Sequence, residues 1–122
     1  MGILDLFEDE SKVVEFAKGD YVFRQGDEGH EMFVILHGEV DILVNGASLE
    51  VAREGSMVGE MALIEDRPRS ASVLVQSDCR LVAINERRFQ YLVQKTPYFA
   101  LRVMKVMADR LRRMNERFPA EK

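Results

Sequence analysis

All eight glycines of this 122-residue chain lie at or before Gly59, so the second half contains none. Glycine reaches positive φ without steric cost, which places tight turns in the first half and long regular elements in the second. Hydrophobic periodicity changes at the same point. Val14 and Phe16, then Tyr21 and Phe23, alternate on either side of Gly19-Asp20. Met32 to Leu36 is an unbroken apolar run, the pattern of a strand covered on both faces. Val40, Ile42 and Val44 alternate into Asn45-Gly46, a strong two-residue hairpin motif, and Leu49 and Val51 alternate beyond it. A strand ending near Val58, followed by Ala71 to Val75 and Leu81 to Ile84, brings the set to seven or eight short strands. Such a set implies a sandwich or barrel whose closure limits exposed edges.

Beyond Leu81 to Ile84 the pattern is helical. Asn85 is a good N-cap, with Glu86 in the first turn and Phe89, Leu92 and Val93 apolar at helical spacing. Thr96-Pro97 marks a second start, a capping side chain followed by proline at the first helical position. Ala100, Met104, Met107, Leu111, Met114 and Phe118 then recur at intervals of 4, 3, 4, 3 and 4 before Pro119 ends the helix. A seam of this kind either covers the open side of the strands or pairs with its twin in a parallel dimer. Methionine at seam positions specifies register poorly, so the seam alone does not choose.

Charge is divided as unevenly as glycine. Residues 1–66 hold 16 of the 21 acidic residues, and residues 67–122 hold 13 of the 17 basic ones. Basic residues in the second half alternate with Met, Leu and Val rather than clustering around aromatics, which argues for a solvated or dimer-flanking face over a nucleic-acid surface. A hydrophobic content of 47% excludes a disordered chain. No apolar run reaches membrane-spanning length and no secretory leader pattern opens the sequence, so a cytoplasmic location is expected. Cys79 is the lone cysteine, excluding an internal disulfide or a multi-cysteine zinc site.

The segment Gly55 to Val73, GSMVGEMALIEDRPRSASV, carries the chemistry. Gly59 precedes a short run of helix formers, Glu60 to Ile64, whose first amides would be free to meet an anion. Arg69, across the loop, offers a fork of donors suited to phosphate oxygens. A carboxylate at Glu60 would repel phosphate unless another ligand group needed an acceptor, as a ribose 2′-hydroxyl does. The combination suits a ligand that carries phosphate and sugar hydroxyl close together, such as a cyclic nucleotide. The plainer alternative is an ordinary turn and helix joining two strands.

Gly59-Glu60-Met61-Ala62-Leu63 followed by Pro68-Arg69-Ser70-Ala71 resembles the phosphate-binding cassette of cyclic nucleotide-binding domains. Gly19, Gly26, Gly38 and the run Met32 to Val40 fall where that family places its turns and its third and fourth strands. The resemblance spans roughly residues 12 to 117 and implies a mainly β fold with α: a double-stranded β-helix (jelly-roll) barrel with C-terminal helices. It divides the chain into a short N-terminal segment (1–11), a barrel (12–84) with its cassette at 59–71, and helices (85–118). It also implies that Arg69 pairs with the cyclic phosphate, cradled by the amides of Ala62 and Ser70, and that Glu60 accepts from the 2′-hydroxyl beside Gly59 and Met61. Val58 and Val73 are candidates for the barrel-side wall of the base, with core packing an equal reading, and Ala71 belongs to the ligand-binding set. Met107-Ala108-Asp109-Arg110-Leu111 is similar to the long helix of bacterial activators, which implies that Arg110 ties that helix to Glu60. It also implies that Asn115 reaches the base across a dimer. Arg110 and Asn115 facing solvent, Glu60 and Arg69 as a plain ion pair, and Arg67 and Arg80 as surface charges are the structural alternatives. Serine at position 70 favours cAMP over cGMP within the family.

Two other function classes are weighed. A metal enzyme on a similar barrel would need clustered ligands, but His30 and His37 are the two histidines and form no His-x-His pair. An interaction module with an empty pocket would have no reason to keep Glu60 and Arg69 together. No helix-turn-helix reader follows the long helix, so DNA binding is not expected, while Ile3, Leu4, Leu6 and Phe7 could cap the barrel or meet a partner protein. The expectation is a cyclic nucleotide sensor, cAMP favoured over cGMP, without enzymatic activity or metal, with a homodimer through its last helix left open.

Overall fold

A computed structural model describes residues 2–7 and 12–118. It contains eight strands in two four-stranded antiparallel sheets, followed by two helices. In chain order the strands are β1 (Val13–Phe16), β2 (Tyr21–Phe23), β3 (Glu31–His37), β4 (Val40–Val44), β5 (Ala47–Ala52), β6 (Met57–Val58), β7 (Ser72–Val75) and β8 (Cys79–Asn85). One sheet runs β1-β8-β3-β6 and the other β2-β7-β4-β5. The two strands flanking Gly19-Asp20 therefore belong to different sheets. Gly19, at φ +94°, turns the chain from one to the other, and its amide donates to the Val75 carbonyl at 2.9 Å.

The apolar run in β3 is buried on both faces, and each face meets a different cluster. Phe33 and Ile35 pack with Ile42, Val58, Val73 and Leu81 between the sheets. Met32 and Val34 face outward, into a second cluster with Leu92, Phe99 and Val103 from the helices. Ile3 and Phe7, from a 3₁₀ turn at Ile3–Phe7, close that cluster, so the N-terminal apolar group covers the sheet. At the β4–β5 hairpin both Asn45 (φ 52°) and Gly46 (φ 83°) take positive φ, and Val44 pairs with Ala47. This is the primed two-residue turn that the Asn-Gly pair favours.

Helix α1 (Glu86–Lys95) begins as its sequence implies, with the Asn85 side chain accepting from the Arg88 amide at 2.8 Å. The start of α2 (Tyr98–Arg117) differs from expectation. Its N-cap is Pro97, in helical conformation and with no side-chain cap; Thr96 contributes its carbonyl, which accepts from the Phe99 amide at 2.9 Å. Proline already holds a helical φ near −54°, so the turn closes through backbone alone. Pro119, expected to stop the helix, lies outside the described residues, as do Met1 and residues 8–11. The Cys79 thiol is buried and donates toward the Ser77 and Glu39 carbonyls; burial pushes its pKa up, as suits a structural thiol.

The expected heptad seam of α2 divides between two surroundings. Met107 and Met114 face a cavity, whereas Met104 and Phe118 are exposed and Leu111 borders the cavity while remaining 63% exposed. What anchors the helix is an adjacent stripe, Phe99 and Val103, with Val106 and Met107 packed beside it. Phe99 is fully buried, edge-on to Phe7 with ring centroids 6.2 Å apart and 5.8 Å from Phe89. Truncating Phe99 to alanine is expected to cost about 3–5 kcal/mol of stability, read by urea denaturation, whereas Arg87→Ala on the exposed side of α1 stays within about 0.5 kcal/mol.

Candidate functional site

The cassette occupies the gap between β6 and β7. Gly59 ends β6 in the left-handed region (φ 75°), which turns the chain sharply into a 3₁₀ turn at Glu60–Leu63. The expected five-residue helical run is thus a shorter, tighter turn. Its Ala62 amide donates to the Gly59 carbonyl at 3.2 Å. The chain then returns through Pro68 to Arg69, whose amide donates to Asp27 O at 2.7 Å and whose carbonyl accepts from Gly26 N at 2.8 Å. Those two bonds tie the far arm of the cassette to the loop between β2 and β3.

Between cassette, sheet and α2 lies a cavity of about 490 Å³. That volume falls within the range typical of small-ligand sites. Val58, Gly59, Glu60, Met61, Ala62, Arg69, Ser70, Ala71 and Arg110 all line it, so nine of the ten residues singled out by sequence converge on one space. Asn115 does not: it is exposed on α2 and outside the cavity of a single chain. Val73 lines the wall, as expected. Arg67, read as a surface charge, stands at the rim, strongly exposed and 3.9 Å from Glu65; Arg80 is exposed elsewhere.

Glu60 is buried, at 6% exposure, and its partner is Arg110 rather than Arg69. Arg110 Nη1 donates to Glu60 Oε1 at 2.6 Å, and its Nε donates to Glu50 Oε1 at 3.0 Å. Glu50, on β5, was not singled out from sequence; nothing local distinguishes it from other strand carboxylates. Arg113 adds a weaker contact to Glu50 at 3.7 Å. The acidic first half and basic second half of the chain meet here through buried charge.

Arg69 is held differently. Its guanidinium lies over the Phe23 ring, 4.1 Å from the centroid, and Nη1 reaches Gly59 O only at 3.5 Å. Burial lowers its pKa, while nearby Glu31, Asp27 and Glu60 act in the opposite direction. Arginine nevertheless stays charged at any physiological pH. Among the described residues, the buried side-chain N/O atoms left without a hydrogen-bond partner are Arg69 Nε and Arg110 Nη2, and both residues line the cavity. Buried donors are normally satisfied, so both guanidinium groups retain unmet hydrogen-bonding capacity in the cavity wall. No group of three His, Cys, Asp or Glu among the described residues could hold a metal.

Removing Arg110 leaves the Glu60 carboxylate buried without compensation. Arg110→Met is expected to cost about 3–5 kcal/mol in chemical denaturation, and adding Glu60→Gln to it should recover much of that loss.

The profile of the cyclic nucleotide-binding domain matches residues 13–96. The chain is 33% identical over 102 residues to the mouse (Mus musculus) potassium/sodium hyperpolarization-activated cyclic nucleotide-gated channel 3, covering 84% of this chain and 13% of the channel. It is also 33% identical to the Pycsar effector protein XpPycTIR of Xanthomonas perforans, over 91% of this chain and 37% of that protein. The chain therefore spans well under half the length of these relatives. The Thermus thermophilus catabolite activator protein superposes with a TM-score of 0.75 at 24% identity, covering 92% of this chain and 60% of that one. With the cassette, the paired sheets and the family profile in agreement, the chain belongs to the cyclic nucleotide-binding domain family.

Proposed function

We propose that residues 12–118 form one regulatory, non-catalytic sensor unit for cAMP, and that ligand binding shifts the position of α1 and α2. The observation that carries this reading is the pair of orphaned guanidinium donors, Arg69 Nε and Arg110 Nη2, at one cavity. Arg69 would take the cyclic phosphate, helped by the amides of Ala62 and Ser70. Glu60 would accept from the ribose 2′-hydroxyl, since a carboxylate retains acceptor sites beyond the oxygen engaged by Arg110. Ile42, Val44, Val58, Leu49 and Val73 form an apolar wall for the base, faced by Met107 and Met114 of α2. Ser70, the residue the family resemblance associates with cAMP, supports adenine over guanine.

The coupling would run through Arg110. It joins α2 to the cassette at Glu60 and to β5 at Glu50, so displacement of the cassette turn changes what α2 can rest against. Ligand that favours one arrangement shifts the population toward it. In this reading the two sheets close as a jelly-roll barrel around the inner cluster, and the domain works in the cytoplasm. Among the described residues no helix is long and apolar enough to cross a membrane.

A homodimer through α2 also belongs to this proposal. Leu101, Met104, Leu111 and Phe118 are exposed at intervals of 3, 7 and 7, with Asn115 on the same stripe. That is the repeat by which two parallel helices mesh, and a single polar residue in it fixes register. The stripe stands one step round the helix from the methionines that face the cavity.

Isothermal titration calorimetry tests the site. cAMP should bind the wild type more tightly than cGMP, and Arg69→Ala should weaken cAMP at least about tenfold, the loss of a charged hydrogen-bond partner. No heat with either nucleotide at millimolar concentration would favour the ligand-free interaction module instead. Sedimentation velocity tests the dimer: the wild type should sediment as a dimer and Leu111→Lys as a monomer. A monomeric wild type with and without nucleotide rejects that part of the reading.

A further inference from the structure

The loop between β2 and β3 contains a glycine with no backbone reason to be glycine. Gly19, Gly26, Gly38, Gly46, Gly55 and Gly59 all adopt positive φ, whereas Gly29 does not. Its conformation is open to other residues, yet a Cβ built on it would stand 2.5 Å from Cζ of Arg69 and closer still to Nε and Nη2. Contacts under 3.0 Å are essentially never made by real Cβ atoms. The hydrogen of Gly29 thus marks space that the Arg69 guanidinium occupies.

The rest of the enclosure offers the head group one marginal hydrogen bond. Phe23 lies under it at 4.1 Å and is itself backed by Phe33, with ring centroids 6.2 Å apart. A Cβ on Gly59 would stand 2.8 Å from Nη1 and 3.1 Å from the Phe23 ring, so the second glycine clears the same group. Nε has no partner, and the one hydrogen bond, Nη1 to Gly59 O, is at the 3.5 Å limit. An arginine normally fixed by carboxylates would spend its donors on them. This one is fixed by shape.

We infer that Gly29 and Phe23 are positioning residues for Arg69, a clearance and an aromatic seat that hold the guanidinium in the cavity while leaving its donors unused for an anionic ligand. A pre-organised donor costs less to bind than one that must be ordered by the ligand. The consequence for cAMP affinity rests on the reading of Arg69 as the phosphate partner; the placement of the side chain does not.

The test therefore has two arms. In the ligand-free protein, the Arg69 Nε–Hε resonance should be shifted upfield by the Phe23 ring current. Gly29→Ala and Phe23→Leu should each move it back toward the range of exposed arginines. In calorimetry, Gly29→Ala should weaken cAMP about tenfold, which corresponds to about 1.4 kcal/mol, with a melting temperature close to wild type. In an Arg69→Ala background the same substitution should change affinity less than about twofold, because the two residues act as one. An unmoved resonance in both variants overturns the inference, as does an equal affinity loss with and without Arg69. Should Arg69→Ala itself bind cAMP normally, the phosphate reading fails and the resonance alone decides whether Gly29 and Phe23 seat the side chain.

Discussion

A carboxylate at 6% exposure is a costly thing to build beside a cavity, and Arg110 is what makes Glu60 tolerable. The compensation comes from α2, fifty positions away in sequence. Because Arg110 also donates to Glu50, its head group is fixed to the cassette and to β5 at once. The ion triad thereby decides where the last helix lies and what forms the far wall of the cavity. Two carboxylates on one guanidinium leave the triad with excess negative charge, relieved in part by Arg113. A buried network of this type is sensitive to loss of any member, because the remaining charges stay desolvated.

The two arginines of the cavity are held by opposite strategies. Arg110 is engaged by two carboxylates through Nε and Nη1, with Nη2 left unpartnered. Arg69 rests on an aromatic ring in a space cleared by glycines, with its donors largely free. Identical side chains thus have different availability to an anion, and the difference lies in their surroundings. An anionic ligand entering the cavity meets one ready guanidinium and one already committed to holding the wall.

Much of the fold was legible in the chain. Glycine placement marked the turns, the Asn45-Gly46 pair set a hairpin, and the unbroken run of β3 announced a strand with two covered faces. The cassette was legible because its residues are contiguous, so spacing alone brings Glu60 and Arg69 to the same loop. Less legible were the caps and the helix face. Thr96 has the chemistry of a cap, yet Pro97 already carries the helical backbone angle and takes the position. The six-residue seam of α2 mixed two stripes, since residues 3 and 4 apart fall within a broad arc of the helix and the arc here straddles a boundary. Met107 and Met114 turn toward the cavity while Met104 faces outward.

Local pattern, then, determined which segments are strands or helices, where the chain turns, and which loop carries Glu60 and Arg69. These follow from residues near one another in sequence, where backbone preference and periodicity act directly. Tertiary structure alone decided that Glu50 braces Arg110, that Phe23 seats Arg69, and that Gly29 is glycine for the sake of a side chain forty residues on. Periodicity shows which side chains share a face but carries no information on what that face meets. Only the packing of the two sheets and docking of α2 bring those distant groups within contact distance.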